Sequence, residues 1–290
     1  MLIKVYCIKQ RAGEMMVRKL TKNFVGLIIT LIVLMGLQSS VWANSKIIFI
    51  PHDNRPISFA QTVESAEGLG FEIVVPPENL LGNRTDSGKV EELWQWLFQE
   101  IKTADSVVLS ADSLIYGSLV DSRKHELSLE TLLERTDKFA KLKQLQPNLR
   151  IYVFASIMRS PRSSFGGVEP SYYEQYGPSI FAATALEDKA ETVGLTKVEE
   201  KELLKFKKNV PEAAFADWLE RRSKNFTVNA KLVSLVNNNN FVYLALGRDD
   251  NAPFSQTRKE SRLLKEQAGA TPVSKFQCLA GIDELGMVLL

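Results

Sequence analysis

The sequence predicts an α/β protein of alternating β/α units with parallel strands, with an incomplete (β/α)-barrel-like arrangement favoured over an open doubly wound sheet. Three observations predict it. Short β-type runs recur along the chain, a polar segment and a helical pattern follow most of them, and the runs are apolar almost throughout. Strands alternating with helices imply parallel pairing through crossovers, and continuous apolar runs imply strands covered on both faces.

Taken in order, the expected strands are KIIFI at 46–50, FEIVV at 71–75, SVVLS at 106–110, RIYVFAS at 150–156, FVYLAL at 241–246 and CLAGI at 278–282. After the second, Asp86 and Ser87 are placed to cap a helix in which Leu93, Trp94, Leu97, Phe98 and Ile101 recur at helical spacing. Ser128 opens the next helix, and Pro147 ends it. Residues 161–240 read as a mostly helical insertion, either a lid above the strand ends or plain scaffold, closing in four asparagines at 237–240. The expected organisation is therefore a leader at 1–43, first β/α units at 44–160, the insertion at 161–240 and further β/α units at 241–290.

The leader has the three parts of a secretory signal: basic Arg18, Lys19 and Lys22, an uncharged apolar stretch from Phe24 to Leu37, and Val41 and Ala43 at a small-residue cleavage site. Residues 1–15 read as an over-extended start. The expected location is periplasmic or extracellular, with membrane attachment only if the segment stays uncleaved. The chain stops in the apolar run GMVLL without a polar tail, so it reads as the N-terminal portion of a longer protein.

Charge excludes one class of partner. Six of the 36 basic residues but one of the 34 acidic ones fall in the first 43 positions, so the remainder is slightly acidic. No basic stripe suited to nucleic acid is left. Cys7 lies in the leader, which leaves Cys278 without an internal disulfide partner.

Parallel β/α folds place their sites at the carboxyl ends of the strands. Those ends carry His52, Asp53, Asn54 and Arg55; Asp112 and Tyr116; Arg159 and Arg162; Asp249 and Asp250; and Asp283 with Glu284. Asp249 and Asp250 are the candidate catalytic pair, one as general acid or base and the other orienting it. The alternative is a cap for a helix spanning 253–267. Asp53, Arg55, Asp112, Tyr116, Arg159, Asp283 and Glu284 are the candidate substrate-binding residues. No cofactor is evident, since no dinucleotide or P-loop fingerprint and no Cys/His zinc cluster occurs. A divalent Mg²⁺ or Ca²⁺ site from Asp53, Asp112, Asp249 and Asp283 is the open alternative.

HDNRP, SADSLIYGSLVDSR, IMRSP, GRDDNAPFSQTRKE and AGIDELGMVLL, each after a strand, make the chain resemble the DUF4127 family of uncharacterised bacterial proteins. The resemblance covers nearly all of the chain beyond the leader. It implies a longer protein, and it implies a second acid at position 54, where this chain has Asn54. It supplies no reaction. The leading expectation is an exported hydrolase of a carbohydrate, an amino sugar or cell-wall glycan. The alternatives are a non-enzymatic envelope protein that binds or senses carbohydrate, and a metal-dependent hydrolase of phosphate or amide bonds.

Overall fold

The computed structural model describes residues 45–290 apart from Phe165. The expected signal segment lies outside the described residues.

Six strands form one parallel sheet: β1 (Lys46–Ile50), β2 (Glu72–Val74), β3 (Ser106–Ser110), β4 (Arg150–Ile157), β5 (Tyr243–Arg248) and β6 (Phe276–Ala280). All six fall on or within two residues of the expected runs. The last strand begins two residues early, at Phe276, and is over before Gly281, whose φ of +95° breaks the extended backbone.

Alternating β/α units and parallel pairing are as expected, and the sheet is open. Its order is β2-β1-β3-β4-β5-β6. A barrel keeps successive strands adjacent, whereas here β2 lies on the far side of β1 from β3. The winding therefore reverses at β1, as it does in doubly wound sheets, and the carboxyl ends of β1 and β3 flank the switch point.

Burial explains why both faces are covered. Ile48, Ile50, Val107, Leu109, Ile151, Val153, Leu244 and Leu246 point to one face, against Trp94, Phe139, Leu232 and Leu264. Those four come from α2 (Val90–Glu100), α5 (Leu129–Leu145), α8 (Glu212–Asn237) and α9 (Gln256–Ala268). The alternate residues Ile47, Phe49, Val108, Phe154 and Ala245 meet Leu285 and Val63 on the other face. These belong to α10 (Leu285–Leu289) and α1 (Ala60–Gly68). The period of two along each strand thus feeds two separate cores.

The remaining helices are α3 (Ala111–Ile115) and α4 (Asp121–Lys124), which follow β3 in the chain, and α6 (Tyr173–Thr192) and α7 (Lys197–Asn209), which precede α8. Ser128 caps α5 as expected, accepting from the Thr131 amide at 3.1 Å. Asp86 and Ser87 do not cap α2. Asp86 closes a turn with Asn83 and Thr85, and the Ser87 hydroxyl donates to Asp121.

Candidate functional site at the carboxyl edge

The innermost layer of the edge is a buried polar knot. His52 follows β1, and its Nδ1 lies 2.9 Å from Ser110 Oγ and 3.0 Å from Asp112 Oδ2. The backbone amide and hydroxyl of Ser156 both donate to Asp112 at 2.9 Å, and the Ser113 hydroxyl donates to the His52 carbonyl. Asp112 therefore stitches the end of β1 to β4 across β3. It is 1% exposed, with both oxygens engaged inside the protein, which withdraws it from any ligand at the rim. His52 Nε2 has no partner among the described residues.

Above the knot lies a cleft of about 310 Å³ lined by Arg55, Arg84, Arg123, Arg159, Asp249 and Asp283. The length of β1 and the turn after it bring Arg55 here. Its Nε donates to both oxygens of fully buried Asp53, at 3.0 and 2.9 Å, and one terminal nitrogen donates to Asp283 at 2.8 Å. Burial works against the charge on Arg55, but Asp283 and Asp53 outweigh it and raise its pKa.

Arg159 leaves β4 and bridges two acids. It donates from Nε to Glu169 and from a terminal nitrogen to Asp249 at 3.2 Å, and these acids raise its pKa against the opposing effect of burial. Arg123 comes from α4 and is only 6% exposed. Its nearest carboxylates, Glu169 and Asp249, stand at 3.8 and 3.7 Å, beyond hydrogen-bond length. Burial and the neighbouring Arg159 lower its pKa to about 10, so it stays charged at neutral pH. Arg84 donates to the Gly166 carbonyl at 3.4 Å and meets no carboxylate among the described residues. Arg55 and Arg159 are thus hydrogen-bonded to carboxylates, whereas Arg123 stands near two without hydrogen-bonding them and Arg84 meets none among the described residues, so these two keep donors free for an anion.

The two adjacent aspartates after β5 have opposite fates. Asp249 faces the cleft with its side chain 42% exposed. Asp250 turns back on its own chain: Oδ1 accepts from the Ala252 amide at 2.9 Å, and Oδ2 is buried without a partner among the described residues. The cap that the aspartate pair could have provided is supplied instead by Ser255, whose hydroxyl accepts from the Arg258 amide. The second carboxylate on the cleft wall is Asp283, 40% exposed.

A scan against family models matches residues 47–290 to the model described as "Protein of unknown function (DUF4127)". The chain belongs to the DUF4127 family. No curated protein and no solved structure matches this DUF4127 chain.

Of the residues expected at the site of this DUF4127 protein, Arg55, Arg159, Asp249 and Asp283 meet at one cleft, with Asp53 directly behind Arg55. Tyr116 does not join them. It is buried against His125, ring centres 5.0 Å apart, beside a separate cavity lined by Ser87 and Asp121. Gly117 next to it, at φ +116°, makes a tight approach to Gly88 of its own chain. Glu284 is exposed at the start of α10, and Arg162 lies over the Phe181 ring. Asn54 donates to Glu78.

Nor do Asp53, Asp112, Asp249 and Asp283 converge as metal ligands. Three are held by arginines and one by Ser156, and no group of three or more His, Cys, Asp or Glu residues among those described is arranged to hold a metal ion. Sequence reasoning missed Arg84, Arg123 and Glu169. Arg123 stands in the motif VDSR but outside any strand end, so its only signal was its neighbours. No described helix is long and apolar enough to cross a membrane.

Proposed function

We propose that the protein is a hydrolase acting on an anionic carbohydrate derivative, whose phosphate or carboxylate is taken by Arg123 and Arg84 in the carboxyl-edge cleft. The observation that carries this reading is Arg123: a guanidinium 6% exposed, facing a cleft, with no hydrogen bond to any described residue. The carboxylates near Arg123 stand at 3.7 and 3.8 Å and leave its donors without hydrogen bonds, and an anion arriving in bidentate fashion fills them. The carbohydrate component rests on the leader read at 1–43, which would deliver the chain to the compartment of the cell wall.

Chemistry follows from charge. Asp249 and Asp283 are the carboxylates on the cleft wall, each hydrogen-bonded to an arginine, and a carboxylate so placed is suited to accept a proton from an attacking water. The guanidiniums stabilise negative charge growing on the substrate. They oppose the positive charge of a glycosidic transition state. The reading therefore favours attack at phosphorus or at an acyl carbon of the sugar derivative. Asp249, held by Arg159 and beside Arg123, is the base in this reading.

Both cleft carboxylates are engaged by arginines, Asp249 by Arg159 and Asp283 by Arg55, and this favours a second reading, an envelope protein that binds the same anion without turnover. The two separate cleanly. Sugar phosphates and acidic sugars should bind the wild type, and the matching neutral sugars should bind at least tenfold more weakly. Asp249→Asn should then abolish hydrolysis while retaining binding. Equal affinity for neutral and anionic sugars would sink both readings, and binding without any hydrolysis across the panel would leave the second.

A further inference from the structure

We infer that a second ligand subsite, built to stack a sugar ring, lies on the far side of the wall that closes the arginine cleft. It is a cavity of about 750 Å³ between the start of α6 and α8, with Tyr172 and Tyr176 on its wall and Lys124, Asp217 and Arg221 at its polar edge. The inference rests on the proposed reading of the arginine cleft only for the joining of the two sites, since the cavity itself is a separate observation.

The wall is one residue thick. Arg123 and Val168 line the arginine cleft, and their immediate neighbours Lys124 and Glu169 line the second cavity. The Lys124 ammonium donates to the Gly167 carbonyl at 2.9 Å, which ties α4 to residues 166–169 and completes the partition. Gly166 and Gly167, at φ +78° and +69°, give this segment a path that other residues adopt only under strain. A ligand longer than one ring would reach from one side to the other over that edge.

The chemistry of the second cavity differs from that of the first. Arg221 donates to both oxygens of Asp217, at 2.8 and 2.9 Å, and the Tyr172 hydroxyl donates to the same carboxylate at 2.6 Å. Asp217 and Arg221 are therefore paired with each other, and Lys124 donates to a backbone carbonyl while Glu126 makes no ion pair among the described residues, so the rim offers hydrogen-bond donors and acceptors of both signs rather than a single-sign charge. Tyr172 and Tyr176 are half-buried, one helical turn apart on the same face of the chain, and present aromatic surface to the cavity. Apolar ring faces beside hydrogen-bonding groups suit a sugar, which has both on each ring.

Calorimetric titration of the full chain with three probes tests the inference: inorganic phosphate, a neutral disaccharide of N-acetylglucosamine, and the same disaccharide bearing a phosphate. Tyr176→Ala should weaken both disaccharides at least tenfold and leave phosphate affinity unchanged, and Tyr176→Phe should bind all three as the wild type does. Ser171→Trp, which fills the cavity from an exposed position, gives the same pattern if Tyr176→Ala does not fold. Failure of the wild type to bind the neutral disaccharide overturns the inference, as does binding indifferent to both Tyr176→Ala and Ser171→Trp. Disaccharide binding that depends on Tyr176 in a protein that ignores phosphate supports the subsite and sinks the anion reading instead.

Discussion

Arg55 and Asp283 stand 228 positions apart in the chain and share a hydrogen bond of 2.8 Å. The contact ties the turn after β1 to the turn after β6, although three strands separate the two in the sheet. It works because α10 runs back across the sheet, setting Leu285 against the core beside Phe49. Closure of the cleft is thus a consequence of how the last segment returns.

The two acids on Arg55 should differ sharply when removed. Asp283 is 40% exposed, so Asp283→Ala is expected to cost about 1 kcal/mol or less. Asp53 is fully buried and takes both bonds from the Arg55 Nε, so Asp53→Ala leaves that donor unpaired, for about 2–3 kcal/mol. Urea unfolding of both variants measures the difference, and equal losses would refute the asymmetry.

Arg123 gives the opposite sign. Replacing a buried, poorly paired guanidinium by a flexible apolar side chain of similar length should leave stability unchanged or raise it by about 1 kcal/mol. Arg123→Met is therefore expected to hold or gain in thermal midpoint while losing at least tenfold in affinity for an anionic ligand. A loss of several degrees in Tm without change in affinity would assign Arg123 a purely structural part.

His125 predicts a pH dependence. Burial, with Arg221 and Lys224 nearby, lowers its pKa to about 4 from an ordinary value of 6.5, while its hydrogen bond to Asn225 and the charge of Asp217 act the other way. The folded value is the lower one, so the unfolded chain binds the extra proton first. Stability is full above pH 6.5 and falls as the pH drops towards 4, by about 3 kcal/mol at most. Its Nε2 lies 2.7 Å from Asn225 Oδ1, and a glutamine amide can donate in its place. His125→Gln should flatten the urea midpoint between pH 6.5 and 4 relative to wild type; identical slopes would refute the assignment.

Arg222 and Glu260 form a deeply buried pair, with guanidinium bonds of 2.7 and 2.8 Å to the two carboxylate oxygens. Arg222 also donates to the carbonyls of Met158 and Arg159, so it fixes the backbone from which Arg159 reaches the cleft. Glu260→Ala is expected to cost about 3–5 kcal/mol, measured by denaturant unfolding. Glu260→Gln, which keeps one acceptor, should lose less.

The strands were legible because burial on both faces leaves nearly continuous apolar runs, and SVVLS at 106–110 is buried at every position. The caps were less so. Ser128 and Asp86 carry the same local signal, and only Ser128 acts on it, because Asp86 is captured by Asn83 and Thr85. Asp249 and Asp250 show the limit most plainly. Adjacent residues of one type were read as one pair, yet the backbone turn sends one carboxylate to the cleft and the other to the Ala252 amide.

By itself the sequence determined the α/β class, the strand positions, the family and the edge of the sheet at which Arg55, Arg159, Asp249 and Asp283 would gather. These follow from local periodicity and from the rule that strand ends share an edge. Tertiary structure alone decided that β2 lies outside β1, since a crossover to either side of β1 leaves the same pattern in the chain. It also decided that Asp112 is interior and that Arg123 faces the cleft, because whether a charged side chain is enclosed or presented depends on partners distant in sequence, whose positions no local pattern encodes.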